Sequence, residues 1–179
     1  MEQIIIVCDD KGNPTGEYVP KSAGITGEGI KHLAVSVLLV NSEDEAVLQK
    51  RKHLVFDNLW DVTASTDVSH FEDGRNETLE EAVKRCLKRE YNIDQVNNLK
   101  NLGGFSYFAK DGSHCENEYD VIFVGEYDGE LTLNPDVGYE IKWVDKKEFL
   151  RDIEANPQNY TPWATEGVKV LKQAGFLSY

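Results

Sequence analysis

Three side chains in this sequence have the types and spacing to hold a metal ion. His70 lies in the acidic segment TDVSHFEDGRNE, and Glu116 and Glu118 flank Asn117 in CENEYDVIFVGEY. An imidazole nitrogen and carboxylate oxygens together suit Mn, Zn or Mg, according to geometry. Glu116 and Glu118 alternate at the head of a β-patterned run, so a strand presents both on one side. The same alternation also suits the solvated face of an edge strand, and the pair alone does not choose between the two.

The element between these segments is a helix. In TLEEAVKRCLKREYNI, Thr78 to Ile93, the residues Leu79, Ala82, Val83, Cys86 and Leu87 recur at helical spacing and turn toward a core. Glu80 with Lys84 and Glu81 with Arg85 are i, i+4 pairs on the outer side, and Thr78 with Glu81 fits a capping box. Strands are expected at Gln3 to Cys8, Leu33 to Val40, Ala46 to Arg51, Trp60 to Ala64, Leu99 to Lys110, Glu118 to Tyr127 and Ile141 to Val144. The Gly- and Pro-bearing stretch DDKGNPTGEY turns the first of these into a hairpin. LAVSVLLV reads as a strand buried on both faces, paired antiparallel with the next. Two helical patterns follow, DKKEFLRDIEAN and TPWATEGVKVLKQAG, the second opened by Thr161 with Pro162 at its first position. Strands around a central helix, closed by terminal helices, make an α/β architecture: a mixed β-sheet sandwiched between helices.

Whole-chain quantities exclude several functions. The 179 residues suit a single domain, residues 1–179, long enough to bury a full core. A net charge of −13 and a pI near 4.7 oppose binding to nucleic acid or an anionic membrane, so a phosphate ligand needs a local cationic pocket or a metal. Cys8, Cys86 and Cys115 are too few and too scattered for a disulfide framework or a cysteine zinc site, which fits a reducing cytoplasm. No stretch approaches a membrane span, and the apolar run IIIVC is too short for a signal segment. Oligomeric state is left open.

Taken in order, the motifs resemble the Nudix superfamily, and within it the type I isopentenyl-diphosphate isomerase branch. The resemblance covers nearly the whole chain. It rests on DDKGNPTGEY, Lys21, KHLAVSVLLVN with His32, QKR ending at Arg51, LW at Trp60, SH at His70, the helix, FSY with Tyr107, ENE at Glu116 to Glu118, and YTPW at Trp163. It implies a Nudix fold and a divalent-metal site, Mg2+ or Mn2+ with Zn2+ as the alternative, drawn from His32, His70, Glu116 and Glu118. It also implies that Lys21 and Arg51 bind a diphosphate, that Tyr107 stands near the reacting carbon or the acid Glu118, and that Trp163 faces a carbocation. Charge-assisted hydrogen bonds and cation–π attraction make chemical sense of those types.

The departures from that pattern carry equal information. The isomerases place another histidine a few residues before the one matching His32, and GITGEGIK has none. They place a cysteine two residues before the histidine matching His70, and here that position is Val68, which cannot exchange a proton. The hydrolase helix signature reads here as Arg85, Cys86, Arg89, Glu90 and Asn92, with Glu77 eight residues before Arg85. Arg85 is then a substrate-binding candidate. Glu90 and Glu77 are the helix-side metal candidates, Glu90 with a catalytic role, and Glu116 or Glu118 would complete the cluster. Hydrolysis of a small diphosphate compound needs no cysteine and is the expected activity. Isomerisation, or binding of a nucleotide or diphosphate without turnover, are the alternatives.

Overall fold

The computed structural model describes residues 2–179. The chain runs β1 (Ile4–Cys8), β2 (Pro14–Pro20), a single helical turn α1 (Lys21–Gly24), β3 (His32–Val40), β4 (Glu45–Arg51), β5 (Trp60–Asp61) and β6 (Ala64–Asp67). It continues through α2 (Leu79–Tyr91), β7 (Asn97–Asp111), β8 (His114–Glu126), β9 (Gly138–Asp145), α3 (Lys146–Ala155) and α4 (Pro162–Gln173). The opening hairpin forms as expected, with β1 antiparallel to β2. The segment expected as one strand at Trp60 to Ala64 divides instead. β5 pairs with β4 and β6 with β3, so the two pieces serve different neighbours.

β3 is the axis of a mixed sheet. All nine of its residues are buried, as an unbroken LAVSVLLV run requires. It runs parallel to β8 from His32↔Glu118 to Val40↔Glu126 and antiparallel to β6 from Ala34↔Asp67 to Val37↔Ala64. Its expected partner β4 meets it only at Val40↔Ala46 and then pairs along its length with β9.

Strand parity sorts β3 into two faces. Leu33, Val35, Val37 and Leu39 join Ala82, Val83, Cys86 and Leu87 of α2 in one apolar cluster. Leu38 and Val40, with Ile122 and Val124 of β8, join Phe149, Leu150 and Ile153 of α3 and Ala164, Val168 and Leu171 of α4 in the other. Each fully buried aliphatic side chain contributes about 1.5–3 kcal/mol, so both helical layers are firmly held. On that second face the even-numbered residues of β3 and β8 change character along the strands. His32, Ala34 and Ser36 precede Leu38 and Val40, while Glu116, Glu118 and Asp120 precede Ile122 and Val124. The terminal helices pack on the apolar half, and the polar half is buried beside a cavity that Trp163 of α4 lines.

α2 has the expected capping box, Thr78 accepting from the Glu81 amide, and it ends at Asn92 in the left-handed conformation, φ 58°. One expected pair on its surface is replaced: Glu81 bonds Arg75, and Arg85 turns back to Glu77. No helix among the described residues is long and apolar enough to cross a membrane.

Candidate metal centre

The polar half of the β3–β8 face holds four metal-ligating side chains. His32, Asp67, Glu116 and Glu118 are all buried, and one donor atom from each lies within 4.8 Å of the others. His32 Nε2 is 3.2 Å from Asp67 Oδ1, 3.4 Å from Glu118 Oε1 and 3.9 Å from Glu116 Oε2. Sheet register accounts for the convergence: Glu118 sits opposite His32, Asp67 opposite Ala34, and Glu116 two residues from Glu118. Facing residues of paired strands share a side, so three strands feed one patch.

The donor set fits a cation. His32 Nδ1–H donates to the Ile30 carbonyl at 2.7 Å, which fixes the ring and turns Nε2 inward. Glu116 Oε2 is buried and has no hydrogen-bond partner among the described residues, an expensive state for a carboxylate oxygen unless a positive charge comes to it. Burial, together with the neighbouring Glu118 and Asp67 charges, pushes Glu116 up to about 8. For His32, burial opposes the charged form, but hydrogen bonds to Asp67 and Glu118 outweigh it and hold the imidazole well above its ordinary value. For Asp67, burial works against ionisation, yet Lys21 and His32 prevail and hold its carboxyl below the usual range. A cation that neutralises the carboxylates would take over the role of the His32 proton.

A cavity of about 130 Å³ opens beside the cluster, lined among others by Lys21, Arg51, Asp67, Tyr107, Glu118 and Trp163. Lys21 Nζ bonds Asp67 Oδ2 at 2.5 Å. Arg51 donates to Asp61 Oδ2 at 3.2 Å and lies over the Trp163 ring, 4.6 Å from its centroid. Trp163 Nε1 donates to the same Asp61 oxygen at 3.0 Å. Tyr107 donates to Glu118, its register partner. Burial and the Glu118 charge keep the Tyr107 phenol far above its ordinary value, so it stays a donor.

Several sequence candidates fall outside this cluster. His70 stacks on Tyr18, ring centroids 3.6 Å apart, and its Nδ1–H donates to Asn76. Glu77 receives Arg85 and the Ser69 amide. The Arg85 guanidinium bonds Glu77 and the Asp67 carbonyl through Nε and Nη2. Glu90 lies on the buried stripe of α2, bonded by Gln49 and Arg89. Asp67 is the residue that sequence reasoning missed. Val68 packs in the core under α2, and strand alternation then sends Asp67 to the opposite face, into the cluster. His70 shares parity with Val68, which is the signal that could have separated them.

The family description NUDIX domain matches residues 30–164. The chain is 33% identical over 166 residues to isopentenyl-diphosphate Delta-isomerase 2 of Aromatoleum aromaticum, covering 91% of this chain and 83% of that protein. It is 30% identical over 170 residues to isopentenyl-diphosphate Delta-isomerase of Brevibacterium linens, covering 93% and 89%. A crystal structure from Deinococcus radiodurans superposes with a TM-score of 0.71 at 17% identity, over 93% of this chain and 98% of that one. A MutT NUDIX hydrolase from Burkholderia pseudomallei superposes with a TM-score of 0.59 at 19% identity, over 80% and 97%. At these identities the two structures establish the shared fold.

Proposed function

The chain belongs to the NUDIX domain family, near its isopentenyl-diphosphate Delta-isomerase branch, and from that membership we propose that it is a single-domain, metal-dependent hydrolase of a small diphosphate compound. One observation carries this reading. The unpartnered Glu116 Oε2 lies in a carboxylate cluster that shares one cavity with Lys21 and Arg51. A cation site and cationic side chains in one cavity match the two halves of a metal–diphosphate complex. With one imidazole and three carboxylates, the donor set favours Mg2+ or Mn2+ over Zn2+. A metal held by His32, Asp67, Glu116 and Glu118 supplies positive charge and an activated water.

The chain's own groups have distinct tasks. Lys21 and Arg51 hold phosphate oxygens, and Asp61 keeps the Arg51 guanidinium and the Trp163 indole in place. Glu118, oriented by the Tyr107 hydroxyl, accepts the proton as the water oxygen attacks phosphorus and the bridging P–O bond breaks. Trp163 and Tyr107 wall the site, Phe56 backs Trp163, and together they exclude bulk water. The reaction is read by incubating the protein with Mg2+ or Mn2+ in 18O water and a pool of nucleoside and isoprenoid diphosphates. Label in released phosphate or monophosphate supports hydrolysis and identifies the compound.

A second reading is isomerisation of isopentenyl diphosphate or a related diphosphate to its allylic isomer. The named relatives and the Tyr107–Glu118 pair beside Trp163 favour it, and the absence of a cysteine at Val68 opposes it. Deuterium uptake from solvent into an organic product that keeps its diphosphate would establish it in place of hydrolysis.

A further inference from the structure

The cavity lining contains more nitrogen donors than the matched motifs account for. Besides Lys21 and Arg51 it includes His53 and Arg89. His53 lies just past the end of β4, and Arg89 comes from the last turn of α2, so two separate elements deliver them. Arg51 Nε and His53 Nε2 are buried and have no hydrogen-bond partner among the described residues. The rest of the Arg51 guanidinium is occupied, Nη1 with Asp61 and Ser65 and Nη2 with the Val55 carbonyl. Arg89 uses Nη2 on Glu90 and Cys86, and a guanidinium has further N–H groups to offer.

Electrostatics agree with this geometry. Burial first, and then the charges of Arg51, Arg89 and Lys21, push the His53 imidazole down to about 3, against a smaller opposing effect of Asp67. Those three cations therefore converge on one imidazole in a chain of net charge −13. A buried guanidinium N–H without an acceptor, beside a buried imidazole nitrogen without a partner and three cations, fits an oxygen-rich anion.

We propose that His53 and Arg89 bind phosphate oxygens and, with Lys21 and Arg51, form a four-residue anion subsite for the diphosphate. The inference rests on the diphosphate reading above and adds two residues to it. Arg89 supplies a planar fork from the α2 side, and His53 offers its N–H at the end of β4. The competing role for Arg89 is only to hold Glu90 and Cys86 in place.

Calorimetry with methylenediphosphonate, a non-hydrolysable diphosphate, in millimolar Mg2+ separates the two roles. Arg51→Gln and Arg89→Gln are each expected to weaken binding by about tenfold or more, His53→Leu by a smaller factor, and Lys169→Gln on the surface of α4 not at all. Arg89→Lys, which keeps the charge, is expected to retain most of the affinity. Wild-type binding by Arg89→Gln and His53→Leu alongside lost binding by Arg51→Gln would overturn the inference and leave the diphosphate reading intact. Equal weakening by Arg89→Lys and Arg89→Gln would also overturn it, since packing against Glu90 would then explain the loss. Failure of the wild-type protein to bind the probe would overturn both.

Discussion

Arg85 reaches back along α2 to hold Glu77 with two hydrogen bonds, Nε to Oε1 at 2.6 Å and Nη2 to Oε2 at 2.8 Å. The same Nη2 donates to the Asp67 carbonyl at 2.9 Å. In this chain the surviving arginine and glutamate of the helix signature thus tie α2 to the strand that carries Asp67. Removing the arginine leaves the buried Glu77 carboxyl with only the Ser69 amide as a partner, so Arg85→Leu is expected to destabilise the fold by about 2–4 kcal/mol. Glu77→Gln with Arg85→Leu should cost less than the sum of the single changes. Urea denaturation of the four proteins measures both quantities, and an additive cycle would refute the coupling.

Metal affinity should follow the strand cluster. His32→Ala, Asp67→Asn and Glu116→Gln are each expected to weaken Mn2+ binding by about tenfold or more, and His70→Ala to leave it unchanged. Titration calorimetry decides this. Loss on changing His70 with retention on changing Asp67 would reverse the assignment.

Thiol labelling tests the facing of residues 67 and 68. A thiol introduced by Asp67→Cys enters the cavity, whereas one introduced by Val68→Cys enters the core under α2. The first should react with a small maleimide in the native protein and the second only on unfolding. Rapid native labelling of Val68→Cys would show that Val68 faces the site.

Acid sensitivity should carry a signature of His53. Burial and the cations around it, Arg51, Arg89 and Lys21, depress its folded pKa to about 3, whereas an unfolded imidazole titrates near 6.5. Between these values the unfolded chain binds a proton that the folded chain refuses. This contribution is therefore fully present above about pH 6.5 and is lost progressively as pH falls toward 3. His53→Leu should show a smaller loss of stability between pH 7 and pH 5, as followed by denaturation midpoints. An unchanged slope would mean that His53 does not titrate abnormally.

The sequence made some of this legible and concealed the rest, for reasons visible in particular residues. Helical spacing and the Thr78–Glu81 box located α2 nearly to the residue, and the unbroken apolar run located β3. The pair Glu116 and Glu118 was found because alternation on one strand needs no partner to be seen. Asp67 escaped because its role depends on register with β3, a long-range pairing that local pattern does not encode. Glu90 lies apart from the cluster for a reason that local pattern does encode. It falls on the Ala82, Val83, Cys86, Leu87 stripe, whose periodicity directs it inward to Gln49 and Arg89. His70 was singled out by residue type and by resemblance, and the structure stacks its ring on Tyr18 and bonds its Nδ1–H to Asn76, away from the cluster.

We propose that metal-dependent diphosphate chemistry takes place at the β3, β6 and β8 cluster and not at the α2 signature. It is tested most directly by assaying wild type, Glu116→Gln and Glu90→Gln side by side with Mg2+ and the mixed diphosphate pool, following products by mass spectrometry, with folding checked by circular dichroism. Turnover is expected from wild type and from folded Glu90→Gln, and none from Glu116→Gln. Turnover that survives in Glu116→Gln and disappears in folded Glu90→Gln would contradict it.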